Sequence, residues 1–207
     1  MIRPPGVDGV AFTDAGDGDQ RLDPRSHAEV SAALGVSDEW ASARQVHGNV
    51  VHRVNRPGEA GDGDALWSTV SGLPLAVFTA DCFGVVLHAP HAVGVAHAGW
   101  RGSRAGLLTR LRTEMAAAGH APTRAAIGPG IGACCFEVGD EVAIEFDGFT
   151  TSTTWGTTSV DLPSFIATEL IDLEVWSVDG CTLHRPGWFS HRRDQTLERM
   201  ASIGWLP

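Results

Sequence analysis

Three residues with metal-binding or nucleophilic side chains lie beside apolar runs: His47 in "RQVHGNVV", Cys82 in "FTADCFGVVL" and His97 in "VGVAHAGWRG". Two imidazoles and a thiolate form a three-ligand set for a tetrahedral metal such as zinc, with the fourth position left to water or substrate. A metal held this way lowers the pKa of its water towards ~7 and supplies a nucleophile at neutral pH. The same residues also admit a metal-free chemistry, with Cys82 as nucleophile and a histidine as its base. Their separations are unlike the short paired spacings of a zinc finger. Cysteines and histidines at strand ends are commonly packing residues. On spacing alone, metal centre, thiol nucleophile and core packing all stand. Arg101 follows His97 in a glycine-flanked turn, ahead of a helix expected from about Ser103. Exposed N–H groups at a helix start, with a guanidinium beside them, suit an anion such as phosphate; a surface loop arginine is the alternative.

The elements that must carry these residues are partly legible. "LPLAVFTADC" is apolar enough for a strand buried on both faces, and "FGVVLHAP" and "AVGVAHAG" predict two more. "SRAGLLTRLRTEMAAAG" predicts an amphipathic helix with Leu107, Leu108, Leu111 and Met115 on one face and Gly119 at its end. Upstream, 26–43 reads as one or two short helices with Gly35 as a stop, and 45–54 as a weak strand broken by glycine. Segments 13–26 and 55–64 read as loops. Downstream come a short strand in "RAAIGPGIG", a helix over 136–146, a threonine-rich turn or hairpin over 150–158, a helix opened by Asp161 and Pro163, and a strand in "LEVWSV". A closing helix and tail are expected over 192–206. Intermixed strands and helices point to an α/β sandwich, a mixed sheet flanked by helices.

Composition narrows the function classes. The chain has 207 residues with 43% hydrophobic content, which fits one domain over 1–207 with a sizeable core. Fifteen basic against 25 acidic residues give a net charge of −10, a poor balance for binding nucleic acid or an anionic membrane. An anionic substrate must then be met by a local group of arginines. The start lacks the apolar run of a secretory signal, and no stretch approaches ~18 apolar residues. Four cysteines, two of them adjacent, do not form a disulfide framework in a chain of this size. The cytoplasm is the expected compartment.

Taken in order, "RQVHGNVV", "GDALWST", "FTADCFGVVL", "VGVAHAGWRG", "AIGPGIGACCFEVGDEV", "DLP" and "FSHRRD" resemble the YfiH-like proteins. This purine nucleoside phosphorylase family was long labelled polyphenol oxidoreductase laccases. The resemblance runs from about Gln45 to the C-terminus. It implies a single α/β sandwich, related to cysteine-hydrolase-like proteins, and zinc held by the residues matching His47, Cys82 and His97. The implied activity is phosphorolysis of adenosine, inosine, guanosine and methylthioadenosine, together with adenosine deamination. Copper is possible in place of zinc, since two histidines and a cysteine also suit it, and copper-dependent polyphenol oxidation gave the older name.

Within that frame Arg101 balances anionic charge, and Asp81 and Asp64 are candidate proton shuttles or partners holding a histidine ring. Trp100 is a packing lid or a stacking surface for a purine. Arg192 and Arg193, in "FSHRRD", bring positive charge to the substrate or start a salt-bridged helix. Cys134 and Cys135 are expected in the core near the site, with a vicinal disulfide as the lesser alternative, and Cys181 is expected to be structural. His88 and His91 are expected in a solvent-exposed turn.

The chain departs from the family pattern in its region 1–44, which is shorter and lacks the Gly-rich opening. His191 and Phe136 stand where tyrosine is usual. The expected partners are a purine nucleoside and phosphate, with no nucleic acid and no membrane, in a monomer or small homo-oligomer. Competing readings are a cysteine hydrolase, a peptidoglycan-editing enzyme and a non-catalytic zinc-binding protein.

Overall fold

The computed structural model, which describes residues 1–207, has thirteen strands and six α-helices, with seven strands following one another over 41–98 without a helix between them. They run β1 (Val10–Phe12), α1 (Pro24–Leu34), β2 (Ala41–Arg44), β3 (Val51–Arg53), β4 (Gly58–Asp62), β5 (Ala65–Ser68), β6 (Leu75–Thr79), β7 (Phe83–Ala89) and β8 (Ala92–Ala98). Then come α2 (Trp100–Arg104), α3 (Leu107–Ala117), β9 (Arg124–Ile127), α4 (Asp140–Ala143), β10 (Thr150–Ser152) and β11 (Thr158–Val160). The chain closes with α5 (Leu162–Thr168), β12 (Glu174–Ser177), α6 (His191–Asp194) and β13 (Met200–Gly204). No helix is long and apolar enough to cross a membrane.

Two mixed sheets lie face to face. One has the order β1-β13-β6-β2-β4 and the other β12-β9-β7-β8-β5-β3; β10 and β11 form a separate hairpin. An apolar layer between the sheets joins Phe12, Leu75 and Val77 of the first to Leu66, Val86 and Val95 of the second. The outer face of the six-stranded sheet is covered by α3 and α5, through Leu107, Leu108, Leu111, Met115, Leu162 and Ile166. The outer face of the five-stranded sheet meets α1 through Val30, with Trp40, Ile203 and Trp205. Each sheet is thus sandwiched, and β8, buried at all seven positions, reads as an unbroken apolar run for that reason.

Local chemistry sets the helix ends. Asp23 caps α1 by accepting the N–H of Arg25, Pro24 occupies its first turn, and Gly35 closes it in the left-handed region at φ 69°. The expected helix over 103–119 is two helices. The first begins at Trp100, and Gly106, at φ 75°, breaks the path before α3. Gly94 of β8 makes room for α3, because a Cβ there would sit 3.0 Å from Met115 Sδ.

Several expectations are corrected. The run 192–206 is not a closing helix. Only His191–Asp194 is helical, and Met200–Gly204 is a strand buried at every position between β1 and β6. A fully buried strand has no polar alternation to distinguish it from a helix. Residues 45–50 are a loop, with strand only at Val51–Arg53, so His47 is on a loop and adopts φ 60°. The 26–43 stretch holds one helix, α1, followed by turn and loop over 35–40, with its last three residues in strand β2, and the 55–64 loop contains β4. Over 136–146 the helix shrinks to Asp140–Ala143 and a 3-10 turn at Ile144–Phe146. His88 is half-buried rather than solvent-exposed, its Nε2–H donating to the Gly9 carbonyl at 3.3 Å.

Candidate metal centre

Strand register brings the chemistry to one edge of the six-stranded sheet. In the antiparallel β7–β8 pair, Phe83 faces Ala98 and Gly84 faces His97, so Cys82 and His97 meet at the same end. In the β5–β8 pair Ala65 faces Ala96, which places Asp64 there too, its carbonyl accepting the His97 N–H at 2.7 Å. The ligand atoms of His47, Cys82 and His97 all lie within 4.8 Å of one another. The two imidazole rings meet edge-on, with centroids 4.8 Å apart.

Asp64 organises this group. Its side chain is fully buried, and Oδ1 accepts Nδ1–H of His97 at 2.8 Å and the backbone N–H of His47 at 3.0 Å. Oδ2 accepts the N–H of Gly48 at 2.7 Å and of Val46 at 3.2 Å. One carboxylate therefore clamps the 46–48 loop and leaves His97 Nε2 free to face the cluster. Gly99 keeps the approach open, since a Cβ there would stand 2.9 Å from Cys82 Sγ and 3.3 Å from His47 Cδ2.

Electrostatics match the geometry. Burial alone would raise the Cys82 thiol, but the charge of His97 and hydrogen bonds with His47 and His97 outweigh it and bring it down to about 6. Burial would lower His97, yet the Cys82 charge and the Asp64 hydrogen bond lift it to about 9. For Asp64, burial raises the carboxyl, and the His97 and backbone hydrogen bonds hold it below the usual range. The metal-free pair is thus a Cys82 thiolate, the form a metal binds, beside a protonated His97, whose Nε2 proton leaves when a cation takes its place. Two imidazoles, a thiolate and one ring pinned through its second nitrogen fit a zinc- or copper-class cation.

The three residues line a cavity of about 410 Å³ that also takes in Trp100, Phe136 and the arginines Arg21, Arg101, Arg192 and Arg199. Arg101 stacks on Trp100, its guanidinium carbon 4.3 Å from the ring centroid, and lies inside the first turn of α2 rather than ahead of the helix. Trp100 is half-buried and packs against the core beneath α3. Asp81 sits next to Cys82 at φ 93°, but its carboxylate turns to other groups. Oδ1 accepts the Thr182 hydroxyl and Oδ2 the Arg192 backbone N–H, each at 2.7 Å. Arg192 reaches the cavity, while Arg193 points into the 182–188 loop and donates to the carbonyls of Thr182 and Trp188. Arg21 and Arg199 carried no signal in the sequence. Arg21 comes from the segment read as a plain loop, and Arg199 directly precedes the misread strand β13.

The sequence profile of the family described as multi-copper polyphenol oxidoreductase laccase matches residues 13–207. A purine nucleoside phosphorylase of Mycobacterium tuberculosis is 37% identical over 199 residues, covering 87% of this chain and 78% of that protein. One from Streptomyces griseus is 38% identical over 177 residues, 78% and 72% of the two chains. Among solved structures, YfiH of Bacillus licheniformis superposes with a TM-score of 0.86 at 24% identity, covering 96% of this chain and 92% of that one. YlmD of Geobacillus stearothermophilus superposes with a TM-score of 0.83 at 25% identity, covering 99% and 94%.

Proposed function

The chain belongs to the multi-copper polyphenol oxidoreductase laccase family, and from that premise we propose that it is a zinc-dependent purine nucleoside phosphorylase acting as one domain over 1–207. The observation that carries the reading is a single cavity holding a His–Cys–His group and four arginines in a chain of net charge −10. An otherwise acidic protein gathers positive charge where an anion must be held. Relatives named purine nucleoside phosphorylase at 37–38% identity support the choice of phosphate and nucleoside as substrates.

In this reading His47, Cys82 and His97 hold the metal. When bound, it supplies a Lewis acid that neutralises negative charge on an oxygen ligand. Arg101 and Arg192 bind phosphate, with Arg21 and Arg199 adding to the positive wall. Trp100, already stacked against Arg101, offers an aromatic face to the purine, as does Phe136. A phosphate oxygen bonds to the anomeric carbon, the glycosidic C–N bond breaks, and its electron pair leaves with the purine, which takes up a proton. The products are free base and ribose 1-phosphate. Asp64 is a positioning residue for His97, and Asp81 fixes the chain next to Cys82 through Thr182 and Arg192. Adenosine, inosine, guanosine and methylthioadenosine are the proposed substrates; in adenosine deamination at the same site, water adds to the purine carbon that bears the amino group, the C–N bond to that group breaks, and ammonia leaves with the glycosidic bond intact. The same donors also accept copper, which leaves polyphenol oxidation as a second reading that depends on the metal loaded. Four free cysteines fit a reducing, cytoplasmic compartment.

The test incubates metal-defined protein with adenosine, with and without phosphate, and separates the products. Adenine formed only with phosphate is the expected result, and inosine reports deamination. Zinc-loaded protein that yields neither overturns the reading. Arg101→Ala is expected to keep its zinc and raise KM for phosphate at least tenfold.

A further inference from the structure

A second group of soft ligands lies behind the cavity wall. Cys134, Cys135, Cys181 and His184 place their ligand atoms within 4.8 Å of one another. Cys135 Sγ is 3.5 Å from Cys134 Sγ and 3.2 Å from His184 Nε2, and Cys134 Sγ is 3.9 Å from His184 Nδ1. Ligands about 2.0–2.3 Å from a tetrahedral zinc stand about 3.3–3.8 Å apart, so these separations are close to the edges of that coordination shell. All four cysteines of the chain are free thiols.

Two hydrogen-bonded turns present the ligands. In the first, the N–H groups of Cys135 and Phe136 both reach the Gly132 carbonyl. In the second, the N–H groups of His184 and Arg185 both reach the Cys181 carbonyl, which puts Cys181 and His184 on one turn at Cys-x-x-His spacing. Cys181 Sγ accepts the Gly132 N–H at 3.2 Å, an orientation that suits a thiolate ligand. Arg193 pre-arranges the second turn through its bonds to the carbonyls of Thr182 and Trp188. Cys135 and Cys181 are buried and His184 is exposed, so a cation enters from the histidine side.

We propose that Cys134, Cys135, Cys181 and His184 form a second, structural site for a zinc-class divalent cation, tying the turn at 132–136 to the turn at 181–185. Four protein ligands leave no open position, which is the mark of a structural rather than a catalytic site. On binding, the three thiols release their protons to solvent and form metal–sulfur bonds, with no change of oxidation state. The two tied turns also hold the chain beside Cys82: Ile131 N–H donates to the Asp81 carbonyl at 2.8 Å and the Thr182 hydroxyl to its carboxylate at 2.7 Å. The site therefore braces the cavity without contributing to its lining chemistry.

The experiment measures zinc in the reduced full-length protein by mass spectrometry of the metal, independently of activity. Wild type is expected to hold two zinc ions per chain and the His47→Ala/Cys82→Ser variant one. His184→Ala, at an exposed position, is expected to lose at least tenfold in affinity at the second site. In the His47→Ala/Cys82→Ser background, cobalt is expected to give an intense thiolate-to-metal absorption band, because only the second site remains. Absence of that band and of the retained zinc overturns the proposal, as does a Cys134–Cys135 disulfide in protein saturated with zinc under reducing conditions. Failure of nucleoside turnover leaves these metal readings unchanged, so the two proposals fail separately.

Discussion

Asp64 shows how much a single residue can decide. A carboxylate with no solvent exposure is costly unless its lone pairs are filled, and here four N–H groups fill them. Those bonds fix the loop bearing His47 and set the tautomer of His97 in one stroke. An asparagine keeps the shape but turns an NH2 group towards backbone donors and leaves one oxygen to accept. Asp64→Asn is therefore expected to weaken metal binding about 10- to 100-fold, the usual effect of removing a partner that orients a metal-binding histidine. A chelator-competition titration measures this, and unchanged affinity would show that His97 is held by other means. Asp64 was marked as a candidate proton shuttle or histidine partner only through the family resemblance of "GDALWST"; the strand that follows it, β5, carried no signal of its own. The Asp64 clamp on residues 46–48 was not legible, because it joins a loop to a strand end through tertiary contact alone.

At the scale of elements, α2 and α3 separate conformation from site geometry. Gly99 has an ordinary backbone (φ −80°), yet a Cβ there would press on Cys82 Sγ and His47. Gly106 has φ 75° and open space around it. Gly99→Ala is thus expected to cost at least tenfold in metal affinity with little change in melting temperature. Gly106→Ala should leave the metal in place and cost about 1–2 kcal/mol of stability, the penalty for a left-handed residue with a Cβ. Denaturant melts with parallel metal analysis check both, and the reverse pattern would show the two glycines have been assigned wrongly. The α3 stripe was legible because Leu107, Leu108, Leu111 and Met115 repeat at helical spacing and all four are buried. Strand β13 was not, because Met200–Gly204 is buried throughout and carries no period. Its placement between β1 and β6 rests on pairing across the whole chain.

For the whole molecule, continuous apolar runs announced buried strands and a layered fold, but no local pattern foretold two sheets stacked between helices. Nor could it gather Arg21 and Arg199 with Arg101, since their meeting depends on how the chain's two ends close around β6. His88 belongs to this closure. It lies on β7 of the six-stranded sheet and donates to Gly9, just before β1 of the other sheet. Burial, partly offset by the Gly9 hydrogen bond and aided by the nearby Arg124 charge, holds its pKa below the ordinary 6.5. The folded protein therefore resists a proton that the unfolded chain accepts. Above about pH 6.5 neither state is protonated and the contribution is complete. As pH falls below that value towards the lower folded pKa, the unfolded state gains a proton first and stability declines. A single such group contributes at most about 1.4 kcal/mol per pH unit within this window. His88→Gln retains an N–H for Gly9 and cannot titrate, so its stability should fall less between pH 7.5 and pH 5 than that of wild type. Urea melts of both proteins at the two pH values isolate the difference, since the remaining histidines and carboxylates are common to both. Equal losses would show that the seam between the two sheets is not sensitive to the charge on His88.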